Sequence, residues 1–283
     1  AGGAWTDATP ALVKAGAIED RYVSRVFASP HEAGTAFVAK SGFRNDDFRA
    51  FLYRTTDFGE TWTSIGHGLP GSPINVVVQD RINRHLLIVG NDLGVWVSND
   101  AGAAWSRLKA NLPTVAVHDL TVHPRENDLV LGTYGRGIWI GDITALQQAR
   151  PSALAAAAHA FEIEPRARYA FGAIGNYDLF GDKYIQVPNE PDALVIRYWL
   201  REKASTPAKI TIADASGAVI NELTGPGEAG LNQVQWNMRP APPAGDSARR
   251  FGGPPAVAPG NYQVRIDVAG QTFTKVGTIR PRL

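Results

Sequence analysis

A motif that returns at a fixed distance constrains this chain more than any other feature. Arg54-Thr55-Thr56-Asp57-Phe58-Gly59-Glu60-Thr61-Trp62 is followed 43 residues on by Val97-Ser98-Asn99-Asp100-Ala101-Gly102-Ala103-Ala104-Trp105. Both read Ser/Thr-x-Asp-x-Gly-x-x-Trp, each after one short apolar run and before another. The pattern describes a tight turn. The Asp carboxylate accepts backbone N–H groups across it, and Gly supplies a position with φ > 0. The Trp opens the next strand and buries its ring under the loop. Thr55, Asp57, Gly59 and Trp62, and likewise Ser98, Asp100, Gly102 and Trp105, therefore read as structural turn residues.

The spacing extends beyond the motif. Tyr53, Trp96 and Trp139 are 43 apart, as are Leu69-Pro70 and Leu112-Pro113, and Arg81 and Pro124. One period shared by different residue types predicts four-stranded propeller blades, which need about 40–45 residues each. Blade one is expected over 22–28, 35–40, 50–55 and 61–66, and blade two over 74–79, 85–90, 94–98 and 104–108. Blade three is expected over 117–122, 128–133 and 137–142. Gly141 and Ile143 stand where a third motif requires Ser and Asp, so the array is expected to end there without a fourth strand. Gly2-Gly3-Ala4-Trp5 matches the last half of a motif. The chain is thus expected to open inside a turn of an earlier blade, with the other blades supplied by the same precursor or by another chain.

From Thr144 the pattern changes. Residues 144–183 read as a linker with a short helix near 143–148, helix propensity over the Ala-rich 153–160, and an ordered loop. Residues 184–283 carry seven short strand candidates: 184–187, 194–201, 208–213, 219–223, 233–238, 260–268 and 272–279. That spacing fits an immunoglobulin-like sandwich. The expected fold is all-β, with a partial propeller over 1–143 and a sandwich over 184–283. A hydrophobic content of 44% over 283 residues supplies enough material for two cores.

These residues resemble the Asp-box, or bacterial-neuraminidase repeat, found in sialidases, sortilin-type receptors, some xyloglucan hydrolases and photosystem assembly factors. Residues 42–48 (Gly-Phe-Arg-Asn-Asp-Asp-Phe), 94–98 (Gly-Val-Trp-Val-Ser) and 131–139 (Leu-Gly-Thr-Tyr-Gly-Arg-Gly-Ile-Trp) look like the C-terminal part of large bacterial proteins labelled sortilin-like or glycosyl hydrolase. The resemblance covers roughly residues 1–150. It implies a propeller and an exported protein, periplasmic or secreted, and it assigns no chemistry, because the fold is shared by receptors, hydrolases and assembly factors.

Composition excludes several classes of function. A net charge of +1 gives no electrostatic drive toward nucleic acid. The absence of cysteine removes disulfides and thiolate metal sites, and no run of 18 apolar residues is present to span a bilayer. No cofactor motif is found. Gly132-x-x-Gly135-x-Gly137 precedes a strand, so the helix N-terminus of a nucleotide loop is missing. His118 and His123 face opposite sides of one strand and cannot chelate one metal.

The strongest local candidate is an insertion of eight residues between the second and third strands of blade one. Arg44, Asn45, Asp46 and Asp47 sit in it, on the face opposite the motif turns. They form either a polar recognition loop, able to hold a cation through oxygen ligands, or an Asn-Asp turn that caps its own backbone. Arg136, between two glycines, is a candidate channel residue or one half of a structural ion pair. No catalytic residue is assigned, since Asp46 and Asp47 are adjacent and Asp57 and Asp100 belong to separate turns. Phe171, Tyr177 and Phe180 stack on sugar or fill a seam. The reading is a non-catalytic extracytoplasmic scaffold or binding module for a protein or polysaccharide, including an accessory subunit of a membrane-associated complex. The alternative is the C-terminal part of a secreted glycoside hydrolase whose catalytic residues lie elsewhere.

Overall fold

The computed structural model describes residues 4–109, 111–168, 192–242 and 254–281. The strand candidate 184–187, the aromatics Phe171, Tyr177 and Phe180, and Gly2 and Gly3 lie outside these residues. The chain divides into two compact units, 1–151 and 152–283.

The first unit consists of three antiparallel sheets in chain order. Blade one holds β1 (Tyr22–Ala28), β2 (Ala36–Gly42), β3 (Asp47–Thr55) and β4 (Thr63–Ser64), each paired to the next. Blade two holds β5 (Ile74–Gln79), β6 (Leu87–Asn91), β7 (Gly94–Ser98) and β8 (Ser106–Arg107) in the same order. Among the described residues, blade three has β9 (Val117–Val122), β10 (Asp128–Thr133) and β11 (Ile138–Asp142) and no fourth strand. These are the strands that the 43-residue period anticipates, and the architecture is a partial propeller.

Alternation explains the packing. Val77, Leu87 and Val89 point from blade two toward Phe37, Ala39 and Leu52 of blade one. Val76, Val78, Ile88, Val95 and Val97 point the other way, toward Val117, Leu120, Leu129 and Leu131 of blade three. Blade two is buried on both faces, so its strands read as nearly continuous apolar runs. Each fully buried Val or Ile contributes about 1.5–3 kcal/mol.

Two elements answer to tertiary context rather than to the period. A short helix, α1 (Thr9–Lys14), precedes the first strand. Its Leu12, with Ala17, covers Val38, Phe51 and Tyr53 on the free face of blade one. Lys40 Nζ fastens the following turn by donating to the carbonyls of Ile18 (2.5 Å) and Glu19 (3.1 Å). Trp5 is 93% exposed, so it does not bury its ring as the partial motif would require. At the other end, α2 (Thr144–Gln148) takes the place of a third motif. Ile143 N–H donates to Asn127 O at 3.1 Å, as Phe58 N–H does to Gly34 O and Ala101 N–H to His85 O, both at 2.9 Å. The anchoring bond of the motif survives while its side chains are replaced. Gln147 Nε2 then reaches the buried carboxylate of Asp80 at 2.8 Å.

The second unit is a β-sandwich. After α3 (Pro151–Ala155), the Ala-rich stretch leaves helix and becomes β12 (Ala158–Ala160). There pairing with β14 and burial of Ala158 and Ala160 override alanine's helix propensity. The remaining strands are β13 (Arg166–Ala167), β14 (Leu194–Leu200), β15 (Ala208–Ala213), β16 (Val219–Gly225), β17 (Gly230–Trp236), β18 (Gly260–Val268) and β19 (Gln271–Arg280). One sheet has the order β12-β14-β17 and the other β13-β19-β18-β15-β16, with β13 parallel to β19. Alternating Leu194, Ile196, Tyr198 and Leu200 face Ile210, Ile212, Val264 and Ile266 in the core, where Trp236 meets Tyr262 edge to face. Tyr198 is buried and its hydroxyl donates to Pro226 O, while burial pushes its pKa up to about 12.

Candidate functional site

The two motif turns are built alike. Thr55 Oγ1 donates to Asp57 Oδ1 at 2.7 Å and accepts Gly59 N–H at 2.9 Å. Ser98 Oγ donates to Asp100 Oδ1 at 2.7 Å and accepts Gly102 N–H at 2.7 Å. Asp57 Oδ1 accepts Thr61 N–H and Asp100 Oδ1 accepts Ala104 N–H, each at 2.9 Å. Phe58 and Ala101 take positive φ (61° and 60°) ahead of Gly59 and Gly102 at 90° and 95°. Asp57 also accepts the Thr61 hydroxyl at 2.5 Å, and this donor leads the set that lowers its pKa to about 2. The tryptophans differ. Trp62 Nε1 donates to Gly59 O within its own turn at 3.1 Å, whereas Trp105 Nε1 donates to Ile65 O in blade one at 2.8 Å. Arg54 Nη1 returns the link by donating to Ala101 O at 3.1 Å. Thr55, Asp57, Ser98 and Asp100 are thus engaged within their own turns, and Trp105 and Arg54 link the two blades.

The insertion lies at the other end of β3. Asp47 and Thr55 are the first and last residues of the nine-residue β3, about 26 Å apart at strand rise. A 3-10 turn over Phe43–Asn45 leads to Asp46 in the left-handed region, with φ 56°. Asp47 is taken up internally: Arg49 Nε and Nη2 donate to it at 2.9 and 2.8 Å, and Arg21 Nε at 3.2 Å. The Arg49 guanidinium, ahead of Arg21, holds the Asp47 carboxyl well below the usual carboxylate range. Arg44, Asn45 and Asp46 are exposed. Arg136 is exposed in the turn between β10 and β11, where its carbonyl accepts Trp139 Nε1–H at 3.0 Å. That turn joins the second and third strands and lies off the innermost strands β1, β5 and β9. Among the described residues no group of three or more His, Asp or Glu side chains is placed to hold a metal ion.

On the insertion's face lies a cleft of about 550 Å³. Ser41 and Phe43 come from blade one, Pro73, Asn75 and Asp92 from blade two, and Ala116, His118 and Tyr134 from blade three. His118 and Tyr134 stack with ring centroids 5.3 Å apart and planes at 21°, and Tyr134 is 75% exposed. Phe43 is also exposed, edge to face with Phe48. At the floor, Asn75 Nδ2 donates to Asp92 Oδ1 at 2.8 Å and to Val117 O at 3.2 Å, tying blade two to blade three. Asp92 N–H donates to Ser72 Oγ at 3.2 Å. The amide thus holds one oxygen of the Asp92 carboxylate. Among the described residues of the lining, Asp92 is the one carboxylate.

None of the eight lining residues belongs to the polar set read from the insertion, although Ser41 and Phe43 flank it. The period does hold a signal. Pro73 and Ala116, and Asn75 and His118, are 43 apart, and Asp92 and Tyr134 occupy the same turn of successive blades. The cleft is therefore lined by repeat-equivalent positions that differ in chemistry.

No family model matches the chain, and no curated protein matches it. Among solved structures, the chain is similar to a GH74 xyloglucanase from Xanthomonas campestris at 12% identity and TM-score 0.35, covering 89% of this chain and 38% of that one. It is similar to the Niastella koreensis GH74 enzyme at 10% identity and TM-score 0.34, covering 90% and 46%. It is also similar to the extracellular domain of a hybrid two-component system from B. thetaiotaomicron, at 13% identity and TM-score 0.30, covering 94% and 31%. The chain thus spans less than half the length of each. The fold and the site above rest on strand order and geometry, not on these likenesses.

Proposed function

We propose that the chain is a non-catalytic, extracytoplasmic binding module of the Asp-box propeller type, with the cleft over β5 and β9 as a polysaccharide-binding surface. The observation that carries this reading is the lining: an exposed His118–Tyr134 stack and the Phe43 ring around the partly held Asp92 carboxylate. Aromatic faces pack on the apolar faces of sugar rings, and a few fixed amide and carboxylate groups take up hydroxyls. Glycoside hydrolysis uses two carboxyl groups about 5–9.5 Å apart, and the described lining contributes one. Export follows from the resemblance to Asp-box proteins, and among the described residues no helix is long and apolar enough to cross a membrane. An accessory place in a membrane-associated complex is the finer form of the same proposal.

Calorimetric titration with a panel of soluble oligosaccharides tests the reading. Saturable binding that Tyr134→Ala weakens at least tenfold supports it, and binding of a protein alone redirects it. A second reading keeps Asp92 as one acid of a hydrolytic pair completed outside these 283 residues. Turnover of aryl glycosides by the natural polypeptide, lost in Asp92→Asn, would establish that alternative.

A further inference from the structure

The charge lining the cleft has no counter-charge. Other carboxylates of the first unit are met by arginines: Asp47 by Arg21 and Arg49, Asp119 by Arg25, and Glu32 by Arg84. Asp92 accepts the neutral Asn75 amide on Oδ1, and among the described residues no arginine or lysine pairs with it. None of the eight lining residues is a lysine or an arginine. Arg44 follows Phe43 in the chain without lining the cleft. Arg107, beside Gly94 at the end of the turn that carries Asp92, donates to Thr114 Oγ1 at 2.8 Å. The rings are open in the same sense. Arg49 lies over Phe51, 5.1 Å from its centroid, whereas among the described residues no cation stands over Phe43, His118 or Tyr134.

We infer, resting on the reading of this cleft as a polysaccharide-binding surface, that it selects amino sugars with a free, protonated nitrogen over neutral and acidic sugars. Covering the cleft with a neutral ring strips water from a carboxylate that keeps one hydrogen bond, which is unfavourable. An acidic sugar adds like-charge repulsion. An ammonium group offsets both costs, because it donates charge-assisted hydrogen bonds to Asp92. The faces of Tyr134 and Phe43 attract the same positive charge. A net charge of +1 gives the chain as a whole no pull on cations, so the selection is local to the cleft.

Two tetrasaccharides of glucosamine, one with free amines and one N-acetylated throughout, separate charge from ring shape. Calorimetric titration of the 283-residue chain is run at mildly acidic pH, where the sugar amine carries its proton. The free-amine form is expected to bind at least tenfold more tightly, and a galacturonate tetrasaccharide more weakly than either. Asp92→Asn keeps an oxygen for the Asn75 amide and removes the charge, so it should bring the two glucosamine affinities within about threefold of each other. His118 is the one titratable base of the lining, so every titration is read at one pH. Equal or tighter binding of the N-acetylated or acidic form, or a preference for the free amine that persists in Asp92→Asn, overturns the inference and leaves the polysaccharide reading standing. Binding of none of the three tetrasaccharides overturns both.

Discussion

At the Thr55 and Ser98 end of the blades, each aspartate meets its own turn: a hydroxyl and backbone N–H groups converge on Asp57 and on Asp100. At the opposite end, Asp92 is met by the single amide of Asn75, and Tyr134 and Phe43 stand uncovered. The two ends are made from the same strands and the same period. The difference is that one end fixes its aspartates with hydroxyl and backbone donors of their own turns, while the other leaves the rings of Tyr134 and Phe43 exposed beside a carboxylate held by one amide. A buried hydrogen-bond set is costly to break, while an open one is cheap to change in stability and costly in binding.

Substitutions on the closed end are expected to be the most damaging. Gly102→Val places a β-branched side chain at φ 95° against Ile65, whose nearest atom lies 3.0 Å from an added Cβ. Strain and overpacking together predict a loss of about 3 kcal/mol, readable as a lowered urea midpoint with an unchanged slope. Ser98→Ala leaves the buried Gly102 N–H without its acceptor and is expected to cost about 1–3 kcal/mol. Little or no change in the midpoint would break the comparison at its structural end. Trp105→Phe keeps an aromatic ring of smaller size and loses the bond to Ile65 O, a hydrogen bond of about 1 kcal/mol.

The pH dependence sharpens the same point. Asp57 has its pKa lowered from 3.8 to about 2, so its contribution is present above the unfolded carboxylate value and is lost as pH falls from near 4 toward 2. Thermal melts of Asp57→Asn should therefore be flatter than those of the parent chain across that acid window. Parallel curves would mean that the turn does not stabilise through its charge. On the open end, Tyr134→Ala is expected to move the unfolding midpoint by no more than about 0.5 kcal/mol.

Much of the fold was legible because the 43-residue period and the alternation of buried positions fix strands independently of one another. What escaped depends on contacts distant in sequence. Ala158–Ala160 is strand because Leu200 to Tyr198 pair with it, and α1 forms where the free side of blade one needs a cover. The cleft was not legible for a related reason. Asn75, Asp92, His118 and Tyr134 are brought together only when two blades stack, and they are unlike one another although their positions repeat. The insertion stands out in the sequence by its length, eight residues beyond the other blades. Folding takes up Asp47 between Arg21 and Arg49, leaves Arg44, Asn45 and Asp46 exposed, and contributes the neighbouring Ser41 and Phe43 to the cleft.

The central claim is that recognition resides at the open end of the blades, and oligosaccharide titration of three matched proteins tests it most directly. Tyr134→Ala should retain the parent's stability and lose at least tenfold in affinity, about 1.4 kcal/mol. Trp105→Phe should lose stability and, at a temperature where it remains folded, bind as the parent does. Undiminished binding by Tyr134→Ala, or binding lost through Trp105→Phe alone, would contradict the account.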